Sequence, residues 1–236
     1  MQSAAYIAPA MSDGVVTFLD VLGWRGVYDR NPNATVQLSV LVDGLRKQGE
    51  KQRGKVQGDV IMKSISDTIA IFTHCDLKEA TKAIDIHGEL AAWTIRKSIE
   101  AEIPVRGAIA FGGFAIQDNI FIGKAVDEAA AWHEYADWIG VHLTPSAEFV
   151  FDGTHGGANW VQYTPPNKSA MPWHPRCVNW TRNWSDRSEE IDRIKSKFRN
   201  LGPIVPEIAS KLLNTINFIE STAPMANGEG NSIDGN

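Results

Sequence analysis

The feature that most constrains this chain is the run GVVTFLDVL at residues 14–22, apolar and β-branched throughout except for one acid, Asp20. Residues of that type, bounded by Ser-Asp before and by a Gly-Trp-Arg-Gly segment after, predict a buried strand. A carboxylate near the end of such a strand is out of place, because burying a charge without a partner is costly.

The segments that follow supply layers for that strand to pack between. Residues 35–48 carry Leu38, Leu41, Val42 and Leu45 at helical spacing after an Asn/Pro-rich turn. A polar, glycine-containing loop, KQRGKVQGD, leads into VIMKSISDTIAIF, which reads as two short strands joined by a tight turn at Ser66 and Asp67. A second acid thus falls at a strand junction. Residues 77–100 show a long helix pattern with Ala80, Ile84, Leu90 and Ile95 among its apolar positions and Pro104 beyond its end. Residues 104–123 read as a hairpin: a strand to a Gly-Gly turn at Gly112 and Gly113, then a short return. An alanine-rich helix, KAVDEAAAWHEYADW, and a strand, IGVHLT, complete the order β-α-β-β-α-β-β-α-β. That order predicts an α+β class: a mixed sheet covered by helices on one side, related to the ferredoxin-like sandwich.

Further on, PSAEFVF reads as a short helix and WVQYTP and RCVNW as strands, with prolines at 165, 166, 172 and 175 confining what lies between them to loop or edge. Residues 187–199 and 203–221 carry two more helical patterns, and the Gly/Asn/Ser-rich segment from Ala223 is expected to be a disordered tail. The chain therefore divides into an N-terminal segment 1–13, a main domain 14–185, a helical extension 186–222 and the tail 223–236, with no internal repeats.

Composition narrows the function classes. With 236 residues, 43% hydrophobic and 22% charged, the chain can bury one sizeable core. A net charge of −5 argues against a nucleic-acid binder, although a polyphosphate can still be held where metal ions neutralise an acidic site. Cys75 and Cys177 are too few and too far apart for a disulfide scaffold or a zinc site, and neither an export signal nor an apolar membrane span is legible. A cytoplasmic protein without a membrane partner is expected.

Asp20 and Asp67, at the ends of neighbouring strands, are placed to hold hard cations, which prefer oxygen ligands. The segment Val21-Leu22-Gly23-Trp24-Arg25-Gly26 after Asp20 can cradle a phosphate chain with successive backbone N–H groups. Together they suggest phosphoryl chemistry; taken singly, Asp20 reads as a helix cap and Asp67 as a turn residue. The six histidines show no metal-ligand spacing, and His133 and His142 read as packing or surface residues. The eight tryptophans read as core and dimer packing.

Four short motifs stand in a familiar order: Phe18-Leu19-Asp20-Val21-Leu22-Gly23, Ser66-Asp67-Thr68, Pro104-Val105-Arg106-Gly107 and Ile122-Gly123-Lys124-Ala125-Val126. In that order the chain resembles the class III nucleotidyl cyclase catalytic domain, and within it the bacterial pyrimidine cyclases of Pycsar anti-phage systems, over residues 14–145. The resemblance implies that Asp20, Asp67 and the Val21 carbonyl hold two divalent cations, Mn²⁺ or Mg²⁺. It implies nucleotide contacts at Phe18, Leu22, Gly23, Lys63 and Lys124, Lys63 lying at the offset of the family's base-reading lysine. For Lys63 an equal alternative is a solvated edge-strand residue. The resemblance further implies a homodimer binding UTP or CTP at the subunit interface, a cyclic product such as cUMP, and a separate cyclic-nucleotide-sensing effector.

Three positions depart from the family pattern. Ile120 stands where purine-specific members carry a polar base-reading residue, Asp127 at the family's asparagine, and Ala131 at its transition-state arginine. Loss of the purine-reading acid favours a pyrimidine. A missing arginine leaves Arg106, Arg25 or Lys124 to supply transition-state charge, with Arg106 first because a cation on a buried strand has a partner or a ligand. Pairing of Arg106 with a structural carboxylate is the other reading, and a degenerate, inactive nucleotide- or partner-binding module is the alternative for the whole chain.

Overall fold

The computed structural model describes residues 10–153, 159–168, 173–201 and 206–222. Its elements are β1 (Ser12–Val21), α1 (Val27–Arg30), α2 (Ala34–Glu50), β2 (Val60–Ile65), β3 (Thr68–His74), α3 (Ala80–Glu100), β4 (Val105–Gln117) and β5 (Ile120–Ile122). Next come α4 (Lys124–Trp132), β6 (Val141–Leu143), α5 (Pro145–Val150), β7 (Trp160–Gln162), β8 (Arg176–Val178), α6 (Arg187–Asn200) and α7 (Pro206–Ser221). The eight strands form one mixed sheet in the order β2-β3-β1-β4-β6-β8-β7, with β5 paired to β4; β4 and β6 run parallel. The predicted α+β class stands.

Strand alternation decides what reaches each face. Val15, Leu19 and Val21 enter the main core under α2 and α3, whereas Val16 and Phe18 enter a second, smaller core with Ala70, Phe72, Ala110 and the Ala125, Val126 and Ala129 side of α4. The sheet is therefore covered on both faces, not on one. By the same parity Asp20 lies on the α4 face, with Arg106 directly opposite it on β4.

Two expectations shift. The Gly-Gly pair does not turn the chain: β4 runs through Gly112 (φ 151°) and Gly113, still paired with Gly14 and Asp13 of β1, and the hairpin turns instead at Asp118 (φ 54°) and Asn119. The alanine-rich helix also stops six residues early, at Trp132. The backbone beyond it is used elsewhere, because Arg106 takes the carbonyls of Glu134 and Ala136, Asp137 N–H donates to Pro166 O, and Ile139 N–H donates to Thr215 Oγ1.

The start of α4 is fixed by Gly123. Its φ is 134°, and a Cβ there would stand 2.3 Å from the Gly113 carbonyl oxygen, so only glycine lets the helix begin this close to β4. The two C-terminal helices pack into the main core through Ile194, Phe198, Leu212, Phe218 and Ile219. The Phe218 ring meets Trp138 edge-on at 4.7 Å. The expected tail from Ala223 lies outside the described residues.

Candidate metal and nucleotide site

Asp20 ends the central strand, its side chain 16% exposed. Burial is the main reason its carboxyl is pushed above the usual carboxylate range; Arg106 and His133 pull it down, while Asp67 and Glu134 push it up. A buried acid whose charge is incompletely compensated is the electrostatic setting in which a cation gains most.

Asp67 is brought to the same end of the sheet by the backbone. Ser66 adopts a left-handed φ of 56° in the β2–β3 turn, and Val21 N–H donates to Asp67 O at 3.1 Å. On the other side, Leu22 N–H donates to Pro104 O at 2.8 Å. The chain leaves β1 held between both neighbouring strands, and the two acids are close enough to interact electrostatically. Two carboxylates at one end of the sheet supply the oxygen ligands that a hard divalent cation prefers.

Arg106 is buried and committed. Its Nη2 lies 3.5 Å from Asp20 Oδ2, and its Nη1 donates to Glu134 O at 3.3 Å and to Ala136 O at 3.5 Å. The guanidinium therefore ties the metal-candidate acid to the turn after α4.

Other predicted residues fall in several places. Phe18 is buried in the second core, its ring edge-on to Phe121 at 5.9 Å, so packing occupies it. Leu22 and Gly23 (φ 72°) line a cavity of about 230 Å³ whose opposite wall comes from Ile208, Lys211 and Leu212 of α7. Lys63, half-buried on β2, is paired with Ala70, which in turn pairs with Phe18, so it stands on the face that Asp20 uses. Arg25 is exposed; so are Lys124 at the first position of α4, Ile120 on β5, and Asp127 and Ala131.

One pair was not foreseen. His133 and Glu134, just past the end of α4, place a ring nitrogen and a carboxylate oxygen with a carboxylate oxygen of Asp20, all within 4.8 Å of one another. His133 thus joins an acidic group instead of serving only as packing or surface. The only signal in the sequence is a His-Glu dipeptide 113 residues from Asp20, and no spacing rule relates the two.

No protein-family model matches the chain, and no curated protein matches it in sequence. Among solved structures, the catalytic core of a rhodopsin-guanylyl cyclase with converted specificity, crystallised with ATPαS, superposes with a TM-score of 0.53 at 14% identity, covering 73% of this chain and 98% of that one. A bacterial light-regulated adenylyl cyclase gives 0.48 at 14% identity over 81% of this chain, which spans 59% of that protein's length. An adenylate/guanylate cyclase/hydrolase from Silicibacter pomeroyi gives 0.47 at 12% identity over 72% of this chain and 96% of that one. The mixed sheet that carries Asp20 and Asp67 at its edge of emergence is, on the first of these superpositions, the fold of a nucleotidyl cyclase catalytic domain.

Proposed function

We propose that the chain is a nucleotidyl cyclase converting a pyrimidine nucleoside triphosphate, UTP before CTP, to its 3′,5′-cyclic monophosphate and pyrophosphate. The observation that supports this is that the backbone at Val21 is hydrogen-bonded to Asp67, so that both acids stand at the end of β1, on a sheet with a cyclase fold and in the order of the motif resemblance. The donor set fits Mn²⁺ or Mg²⁺, held by Asp20, Asp67 and the Val21 carbonyl. Bound there, such cations would lower the pKa of a ribose 3′-hydroxyl and offset the charge of the pyrophosphate leaving group.

The chain's own residues have separable tasks. Asp20 and Asp67 supply anionic oxygens, and Arg106 orients Asp20 while anchoring the α4–β6 turn. Lys63 stands on the Asp20 face for a base carbonyl or a phosphate, and Lys124 is exposed at the helix start, where it would meet a triphosphate. Exposed, apolar Ile120 offers no acid to read a purine, which supports the pyrimidine choice. The resemblance carries the rest of the reading: a cytoplasmic homodimer with the nucleotide at its interface, producing a messenger such as cUMP for an effector in anti-phage defence.

A second reading, a catalytically silent nucleotide-binding module, is favoured by one observation. Ala131 offers no cation, and the buried Arg106 guanidinium is already engaged. Incubation with each of the four NTPs and Mn²⁺, followed by mass spectrometry, separates the two. A cyclic pyrimidine nucleotide sustains the cyclase; a cyclic purine nucleotide overturns the base choice; no cyclic product from any NTP overturns the cyclase.

A further inference from the structure

The group Asp20, His133 and Glu134 has a composition that two aspartates alone do not have: one imidazole nitrogen with two carboxylates, all on one protomer. Several observations bear on what it holds. The His133 Nδ1 lies 2.6 Å from Ala130 O, so Nδ1 carries the proton and donates it to that carbonyl. This leaves the Nε2 lone pair facing outward, 3.8 Å from Glu134 Oε1. A lone pair turned toward carboxylate oxygens is repulsive unless a cation or a proton lies between them, and an imidazole with one nitrogen tied to a backbone carbonyl is the usual arrangement of a metal-ligating histidine.

The surroundings favour a cation as well. His133 is the C-cap of α4, at the negative end of the helix dipole. The turn that carries Glu134 is held in place from below by the Arg106 guanidinium through the Glu134 and Ala136 carbonyls. Arg106 neutralises one of the two carboxylates, so the group retains one net negative charge with nothing bound, and a dication is not opposed by an already neutral site.

We propose that Asp20, His133 and Glu134 form a mixed nitrogen–oxygen site for a first-row transition-metal dication, Zn²⁺ before Mn²⁺, selecting it over Mg²⁺. Imidazole suits Zn²⁺ best; Mn²⁺, which favours oxygen ligands, still accepts it more readily than Mg²⁺, which keeps a near-ideal octahedron of oxygens and waters. The site shares Asp20 with the catalytic reading above, and rests on that reading only in that shared residue.

The test uses the full chain and Mn²⁺ alone, without nucleotide. Equilibrium dialysis measures affinity, and pulsed electron paramagnetic resonance detects a directly bound imidazole through ¹⁴N modulation of the Mn²⁺ signal. The expected result is a ¹⁴N-modulated site that survives Asp67→Ala, loses its modulation in His133→Phe, and weakens about tenfold in Glu134→Gln, whose exposed side chain threatens no core. Mg²⁺ at equal concentration fails to displace Mn²⁺. Circular dichroism of each variant verifies folding, and Glu134→Gln keeps the test open if His133→Phe does not fold. Absence of ¹⁴N modulation in the parent, absence of Mn²⁺ binding, or affinity unchanged by both substitutions overturns the proposal. A chain that shows the ¹⁴N site but makes no cyclic nucleotide refutes the cyclase and leaves this site standing.

Discussion

Acidification offers a test with a worked magnitude. His87 is wholly buried on α3, its Nδ1 2.6 Å from Thr17 Oγ1 and its Nε2 2.9 Å from Thr73 Oγ1, and burial pushes its pKa down to about 3. His142 on β6 is equally buried, has no hydrogen-bond partner at either ring nitrogen among the described residues, and is pushed down to about 4. Both rings are neutral in the folded chain and titrate near 6.5 once unfolded, so below pH 6.5 the unfolded state binds more protons and stability falls. The loss is complete only below the folded pKa values, and stability is flat in these groups above 6.5. At pH 5 each histidine costs about 2 kcal/mol. Together they remove roughly 4 kcal/mol of the ~5–15 kcal/mol that a native domain typically has. Asp20 works the other way, because its raised carboxyl holds a proton more tightly when folded and recovers part of the loss. Glu100 and Asp137, whose values are lowered, lose their contributions only at more acid pH. Urea denaturation followed by tryptophan fluorescence at pH 7 and pH 5 measures the difference. Substituting His142→Leu loses no hydrogen bond among the described residues, so it should leave stability at pH 7 unchanged or higher and halve the drop. A variant that keeps the full drop, or a parent equally stable at both pH values, refutes the reasoning.

Other outcomes follow from single contacts. Asp20→Ala and Asp67→Ala should each abolish cyclic product in the NTP assay, and retained activity in either removes that acid from the metal set. Arg106→Met leaves Asp20 buried without its cation, so it should lower stability at pH 7 by about 3 kcal/mol. Lowering the pH to protonate Asp20 should recover part of that loss, as read by denaturation at two pH values. Gly123→Ala forces a side chain to φ 134° and against the Gly113 carbonyl, which should cost about 2 kcal/mol and lower the thermal midpoint. Phe218→Ala empties a fully buried site beside Trp138 and Trp180, with an expected loss of about 3–5 kcal/mol; a loss under 1 kcal/mol would mean that α7 contributes little to the core.

The sequence by itself determined most of the local elements and the strand end and turn where the two aspartates stand, because strand alternation, helical spacing and a polar interruption of an apolar run are short-range signals. Asp20 stood out for being an acid in GVVTFLDVL, and Asp67 for its place in a tight turn between two β-rich runs; the order of motifs around them supplied the pairing. What lay out of reach was everything fixed by register. That β4 continues through Gly112 and Gly113 depends on pairing with β1, ninety-eight residues away from Gly112 at Gly14. That α4 stops at Trp132 depends on Arg106, Pro166 and Thr215 capturing the backbone groups the helix would have used. The same captured turn swings His133 and Glu134 toward Asp20, so only the tertiary structure decided that an ordinary-looking dipeptide joins the acid. Hydrogen bonds between distant segments leave no periodic trace in the chain that makes them.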